Sequence, residues 1–127
     1  MENEKKYLKL NDIEAYKTAF HLSNYVWDAA IKWDWFAKNT VGPQFVNAVD
    51  SISANIAEGF GRRSMKEKIH FYYIAIGSLT ECQNQLLIAR DLGYITSKEF
   101  QEVAVLSVEA AKLINGLISK SRLNSSS

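Results

Sequence analysis

Along the chain, apolar residues recur three and four positions apart, and no stretch of any length shows the two-residue alternation of a strand. Ile13, Tyr16, Phe20, Trp27 and Ile31 form the first such stripe and predict a helix over about 12–38, opened by a capping box from Asn11 and Glu14. The segment "NTVGP" ends it, with Pro43 suited to the first turn of the next helix. Phe45, Val49, Ile52, Ile56 and Phe60 predict a second helix over 43–60, stopping at Gly59 and Gly61, where the absence of a β-carbon makes departure from the helical region inexpensive. Ser64 and Glu67 form the box that opens a third helix over 65–92, with Gly93 as its left-handed terminator. Thr96 and Glu99 open a fourth over 97–122, with Ile95 and Phe100 spaced as a hydrophobic staple and 124–127 left as a frayed tail. Connections this short turn each helix antiparallel to its predecessor. The expected fold class is all-α, an antiparallel up-down-up-down four-helix bundle occupying residues 1–127 as one domain.

A bundle helix needs one apolar stripe, about three residues in seven. The third helix has two: Met65, Tyr72, Ile76, Leu79 and Leu86 on one seam, and Phe71, Ala75, Ser78, Cys82 and Ala89 on another. On the first helix, Tyr25, Trp33, Trp35 and Phe36 lie off the main stripe. Leaving large aromatics in water forgoes roughly 1.5–3 kcal/mol each, so the surplus points to an interface between subunits. Tyr25, Trp33, Trp35, Tyr72 and Tyr73 are the candidate interface residues.

Composition narrows the class. The 127 residues are 47% hydrophobic with one proline and six glycines, which suits one globular helical domain. A single cysteine, Cys82, has no internal disulfide partner and fits a reducing compartment. The charged start "MENEKKYLK" carries no secretory signal, and no run approaches the roughly 20 apolar residues that span a bilayer. A cytoplasmic protein without membrane contact is expected. The net charge of +1 excludes a surface built throughout for nucleic acid.

The stretch "ANIAEGFGRRSMKE", Ala54 to Glu67, holds the most suggestive chemistry. Asn55 and Glu58 share a face of the second helix, and Ser78, Glu81 and Gln85 stand at matching spacing on the third. Buried polar groups need partners, so Asn55, Glu58, Ser78 and Glu81 are expected to form a polar cluster between these helices or across subunits. No catalytic constellation emerges. Gly59-Phe60-Gly61 follows a helix and lacks the third glycine of a phosphate-binding loop. A di-iron carboxylate bundle wants two E-x-x-H motifs and two more glutamates, whereas Glu67 to His70 is a single match and Glu67 already serves as a cap. Cys82 sits mid-helix on an apolar face, where it fits the core better than a nucleophilic pair with His21 or His70. The expectation is no enzyme, no cofactor, no metal and no small-molecule substrate.

With these elements placed, the chain resembles the bacterial four-helix-bundle family of 23S rRNA intervening-sequence proteins, also labelled ribosomal S23-like. The family segment S-I-P-x-N-I-A-E-G plus arginine is matched by Ser51, Ile52, Asn55, Ile56, Ala57, Glu58, Gly59 and Arg62, with Ser53 replacing the usual proline. Its second block is matched by Glu67, Phe71, Ala75, Gly77, Ser78, Leu79 and Glu81, and "DIEAY" at Asp12 to Tyr16 is similar to its opening. The resemblance implies a four-helix subunit, often a homopentamer, with no known enzymatic activity and a poorly defined role.

Antiparallel helices would gather Lys5, Lys6, Lys9, Arg62, Arg63, Lys66, Lys68, Lys120 and Arg122 at one end, opposed by Glu2, Glu4, Asp12, Glu14, Glu58 and Glu67. In a five-membered ring the surplus would approach roughly +15 on one face, enough to attract phosphates at low salt. The expected function is therefore a non-enzymatic homo-oligomer of poorly defined role, with weak sequence-independent RNA or ribosome-associated binding through a basic end that carries Arg62, Arg63, Lys66 and Lys68. The alternatives are a protein-interaction scaffold with no nucleic-acid role and, behind it, a metal-binding carboxylate bundle.

Overall fold

The structure, a computed structural model, describes residues 9–126. Among these there are five α-helices and no strand: α1 Glu14–Ala30, α2 Trp35–Asn39, α3 Val41–Phe60, α4 Met65–Asp91 and α5 Ser97–Ser126. Four are long. None of them is long and apolar enough to cross a membrane.

The helix expected over 12–38 is two helices. Asp34 breaks it: its side chain accepts a bond of 2.9 Å from the Ala37 amide and caps α2, satisfying a donor that a new helix leaves free. The expected box of Asn11 and Glu14 is also absent. A short 3-10 turn, Leu10–Asp12, precedes α1; the Lys9 amide donates to Asp12 Oδ2 at 3.1 Å and Glu14 pairs with Lys17 at 3.2 Å. At the far end α5 continues through Ser126, beyond the expected stop near 122, because no glycine or proline follows Gly116 to break it.

The other caps form as their sequence demands. Ser64 Oγ accepts from the Glu67 amide at 3.0 Å, and Thr96 and Glu99 exchange two reciprocal bonds of 3.0 Å. Burial alone would raise the Glu99 carboxyl pKa, but hydrogen bonds from Thr96 and the nearby Lys32 ammonium bring it below the usual value. Gly93, at φ +77°, closes α4 in a Schellman motif, with Tyr94 N donating to Ala89 O at 2.9 Å and Gly93 N to Arg90 O at 3.0 Å.

In cross-section α1 packs on α3 and α5, and α4 packs on α3 and α5, so each long helix has two principal neighbours. Ala15, Ala19, Leu22 and Val26 of α1 meet Phe45, Val49, Ile52 and Ile56 of α3 in the core. Tyr72, Leu79, Cys82 and Leu86 of α4, with Val103, Ala110, Ile114 and Ile118 of α5, complete it. On α4 both predicted seams turn inward, since a helix held between two neighbours buries a wide arc. On α1 the phase is different from that expected. The small residues Ala15, Ala19, Ala29 and Ala30 face inward and let the helices approach, while Phe20, Trp27 and Ile31 face solvent.

Candidate functional site

Two regions hold the side chains that the sequence singles out: the corner between α3 and α4, and the outer face of α1 with α2.

At the corner, Gly59 is buried and in ordinary helical conformation, so its role is space. A β-carbon there would stand 2.6 Å from Tyr72 Cε1 and 3.2 Å from the Lys68 carbonyl oxygen. The expectation that Gly59 and Gly61 end the helix by leaving the right-handed region is replaced by this close approach, since neither has positive φ. Lys68 Nζ turns back to donate to the Phe60 carbonyl at 2.7 Å and the Gly59 carbonyl at 3.3 Å, capping the end of α3. Partial burial lowers its pKa. Arg62 bonds the Glu58 carboxylate, lies 4.0 Å from Glu67 and holds its guanidinium 4.8 Å from the Phe71 ring centre. Of the four cations expected to touch nucleic acid, Arg62 and Lys68 are thus engaged within the corner. Arg63 and Lys66 are exposed, with no ion pair among the described residues. Lys5, Lys6, Glu2 and Glu4 lie outside the described residues.

The expected polar cluster divides. Asn55 Nδ2 donates to the Ser51 carbonyl at 2.8 Å and to Ser51 Oγ at 3.0 Å, and Ser78 Oγ donates to Ser51 Oγ at 2.8 Å, linking α3 to α4. Two turns away, Gln85 donates to Gln44 at 3.2 Å. Glu58 belongs to Arg62 instead, and Glu81 is exposed on α4. Ser51, which is not among the residues expected in the cluster, is the hub.

The expected interface residues also separate. Tyr72 is only 3% exposed and packs over Gly59 in its own core, where burial raises its hydroxyl pKa, so it offers no surface to another subunit. Trp33 is half-buried between Phe45 and Tyr94, with ring centres 6.3 and 5.5 Å away, and its Nε1 is buried without a partner. Tyr25 is half-buried; burial first, then Glu102 and Glu99, raise its pKa. Tyr73 is exposed and bonded by Arg122. Trp35 is 78% exposed. Phe20, Trp27, Ile31 and Phe36 join it at the surface. The alternating small residues of α1 were the signal that the aromatic stripe is not its core face. The thiol of Cys82 is buried beside Ser107, and desolvation pushes it up to about 12, far from nucleophilic service at neutral pH. Among the described residues no three His, Cys, Asp or Glu side chains gather as a metal site.

A family model described as 23S rRNA-intervening sequence protein matches residues 11–116. The chain belongs to that family. The match takes in both the Ser51–Asn55–Ser78 link and the α3–α4 corner, which gives the family motif a structural meaning: it joins α3 to α4 and permits their contact at Gly59. A solved structure from Bacteroides thetaiotaomicron, a protein of unknown function from the S23 ribosomal protein family, is similar at 21% identity, covering 83% of this chain and 95% of that one, with a TM-score of 0.74. That likeness establishes the fold. No match was found among curated proteins.

Proposed function

We propose that this family member is a non-enzymatic cytoplasmic subunit that assembles with copies of itself, each copy an up-down-up-down four-helix bundle. The observation that carries the assembly is the exposed apolar face of α1 and α2: Phe20 is 50% exposed, Trp27 54%, Ile31 48% and Phe36 63%, within 17 residues of chain. Isolated exposed apolar residues are ordinary, whereas a continuous patch of large ones marks a surface for another macromolecule. The topology is supported by paired positions that run in opposite order along the chain: Gln44 with Gln85 and Ser51 with Ser78 between α3 and α4, and Ser23 of α1 with Val49 of α3, followed by Trp33, just past α1, with Phe45. The buried lone thiol accords with a reducing compartment.

Weak RNA binding is the second part of the reading, and Arg63 and Lys66 support it. They stand exposed beside the first turn of α4, where the helix dipole adds positive potential. Cyclic assembly would repeat them on one side of a ring, a pentamer in the pattern implied by the family resemblance. Charge reversal as Arg63→Glu with Lys66→Glu removes these contacts while leaving the Arg62–Glu58–Phe71 group intact. Retention of single-stranded RNA on a filter at low salt is expected to fall to background in this variant. Equal retention by variant and parent would remove RNA from the account and leave a protein-interaction scaffold.

A further inference from the structure

The exposed face of α1 changes character along its length. Beside Trp27 and Ile31 it meets Pro43 and Val46 of α3 in a small apolar groove, with Lys38 at its edge. Two turns nearer the amino terminus, Tyr16 and Phe20 stand over an open depression of about 470 Å³ whose other walls are Asn11, Lys17, His21 and Asn24. That volume falls within the roughly 300–1,000 Å³ of small-ligand sites, which combine apolar and aromatic walls with a few convergent polar groups.

The subunit leaves most of these groups unspent. Asn11, His21 and Asn24 make no side-chain hydrogen bond or ion pair among the described residues. Lys17 shares an exposed pair with Glu14 at 3.2 Å, a contact of small worth in water that a phosphate can rival. Tyr16 is half-buried against the core, which fixes its ring. Phe20 lies 5.9 Å from it at 34°, with half of its surface in water. A ring held in place and open on one side is a platform for another flat ring. Each asparagine amide carries a donor and an acceptor side by side, the pattern that matches the edge of a nucleobase.

The position of the depression adds a second argument. On the antiparallel pairing proposed above, Ser23 lies level with Val49 and donates to its carbonyl at 3.3 Å. Tyr16 is seven residues before Ser23 and Phe60 eleven after Val49, about 10 and about 16 Å of helical rise in the same direction. The aromatic platform therefore lies within about 6 Å, along the bundle axis, of the corner that exposes Arg63 and Lys66. Phosphate contacts at the corner hold a strand without touching its bases, and the platform supplies what they lack.

We infer that the Tyr16–Phe20 depression receives an unpaired base of single-stranded RNA, stacked on Phe20 and held at its edge by Asn24, with Lys17 on the adjoining phosphate. This rests on the RNA binding proposed above and adds to it a site that tells a single strand from a duplex, whose bases already stack on one another. It also divides α1: subunits meet on the Trp27–Ile31 end, and the Phe20 end stays open.

Fluorescence anisotropy of the full chain at low salt, with labelled oligoadenylate and with an RNA duplex of equal length, tests the site. Phe20→Ala with Asn24→Ala, both at exposed positions, is expected to weaken oligoadenylate binding about tenfold or more and to leave duplex binding unchanged. Phe20→Tyr, which keeps a ring, is expected to bind oligoadenylate as the parent does. Arg63→Glu with Lys66→Glu is expected to weaken both probes. Light scattering is expected to give the double alanine variant the parental mass. Parental affinity for oligoadenylate in that variant overturns the site while RNA binding stands, and so does an equal loss on the duplex. A fall in its mass assigns Phe20 to the contact between subunits and overturns the site as well. A parent that binds neither probe overturns the RNA binding on which the site depends.

Discussion

The corner between α3 and α4 and the outer face of α1 and α2 differ in how much of their chemistry the chain itself consumes. At the corner, Arg62, Glu58, Lys68, Ser64 and Glu67 all have partners within the corner itself, and Gly59 accommodates Tyr72. The α1–α2 face holds Phe20, Trp27, Ile31, Trp35 and Phe36 in water. The part that looks most like an active-site motif is a structural joint, and the part that looks like ordinary core lies on the surface. A motif of glycines, arginines and carboxylates therefore says little about chemistry until each group is asked whether its neighbours already satisfy it.

The contrast is broken most sharply at Gly59. Gly59→Ala is expected to lower stability by about 1–3 kcal/mol, since Tyr72 is buried and cannot move aside freely. Urea denaturation reads this, and an unchanged midpoint would mean the close approach is relaxed in solution. A cap comes next. Thr96→Ala removes the acceptor for the Glu99 amide and is expected to cost roughly 0.5–2 kcal/mol in the same assay.

Alkaline pH examines the core between the two regions. The Cys82 thiol is raised in the folded state, from 9.0 to about 12, so the folded protein keeps a proton that the unfolded chain releases. Its stabilisation is complete below about pH 9 and declines as pH rises toward about 12. Cys82→Ala is expected to make the fall of stability over this window shallower by about 1.4 kcal/mol per pH unit, one proton's worth. An identical slope in the variant would contradict a protonated buried thiol.

The smallest stability effects are expected on the exposed groups. Arg62→Ala leaves a partly exposed ion pair unmade and should cost no more than about 1 kcal/mol. Trp27→Ser should change the stability of the dilute single subunit by no more than about 0.5 kcal/mol while lowering the assembled mass. A large loss of subunit stability from Trp27→Ser would show that this side chain belongs to the subunit's own core.

Much of the fold was legible because caps and terminators are local. Ser64, Thr96 and Gly93 act where their spacing says, and a box or a left-handed glycine needs only its own turn. The phase of α1 was not legible by counting large residues, because the helix packs through Ala15, Ala19, Ala29 and Ala30 and turns its aromatics outward. Asp34 could have been read as an N-cap, but the apolar residues on either side of it masked the break. For the candidate contacts, sequence distance concealed what space decides: Lys68 and Phe60 are eight residues apart and bonded, and Tyr72 reaches Gly59 across the corner.

The most direct measurement is the mass of the unmodified protein by light scattering through a dilution series at micromolar concentration, with acrylamide quenching of tryptophan followed alongside. The account predicts a multiple of 14.4 kDa, with quenching of Trp27 reduced in the assembled form and restored on dilution. A constant 14.4 kDa particle with Trp27 and Trp35 open to quencher at every concentration would contradict it.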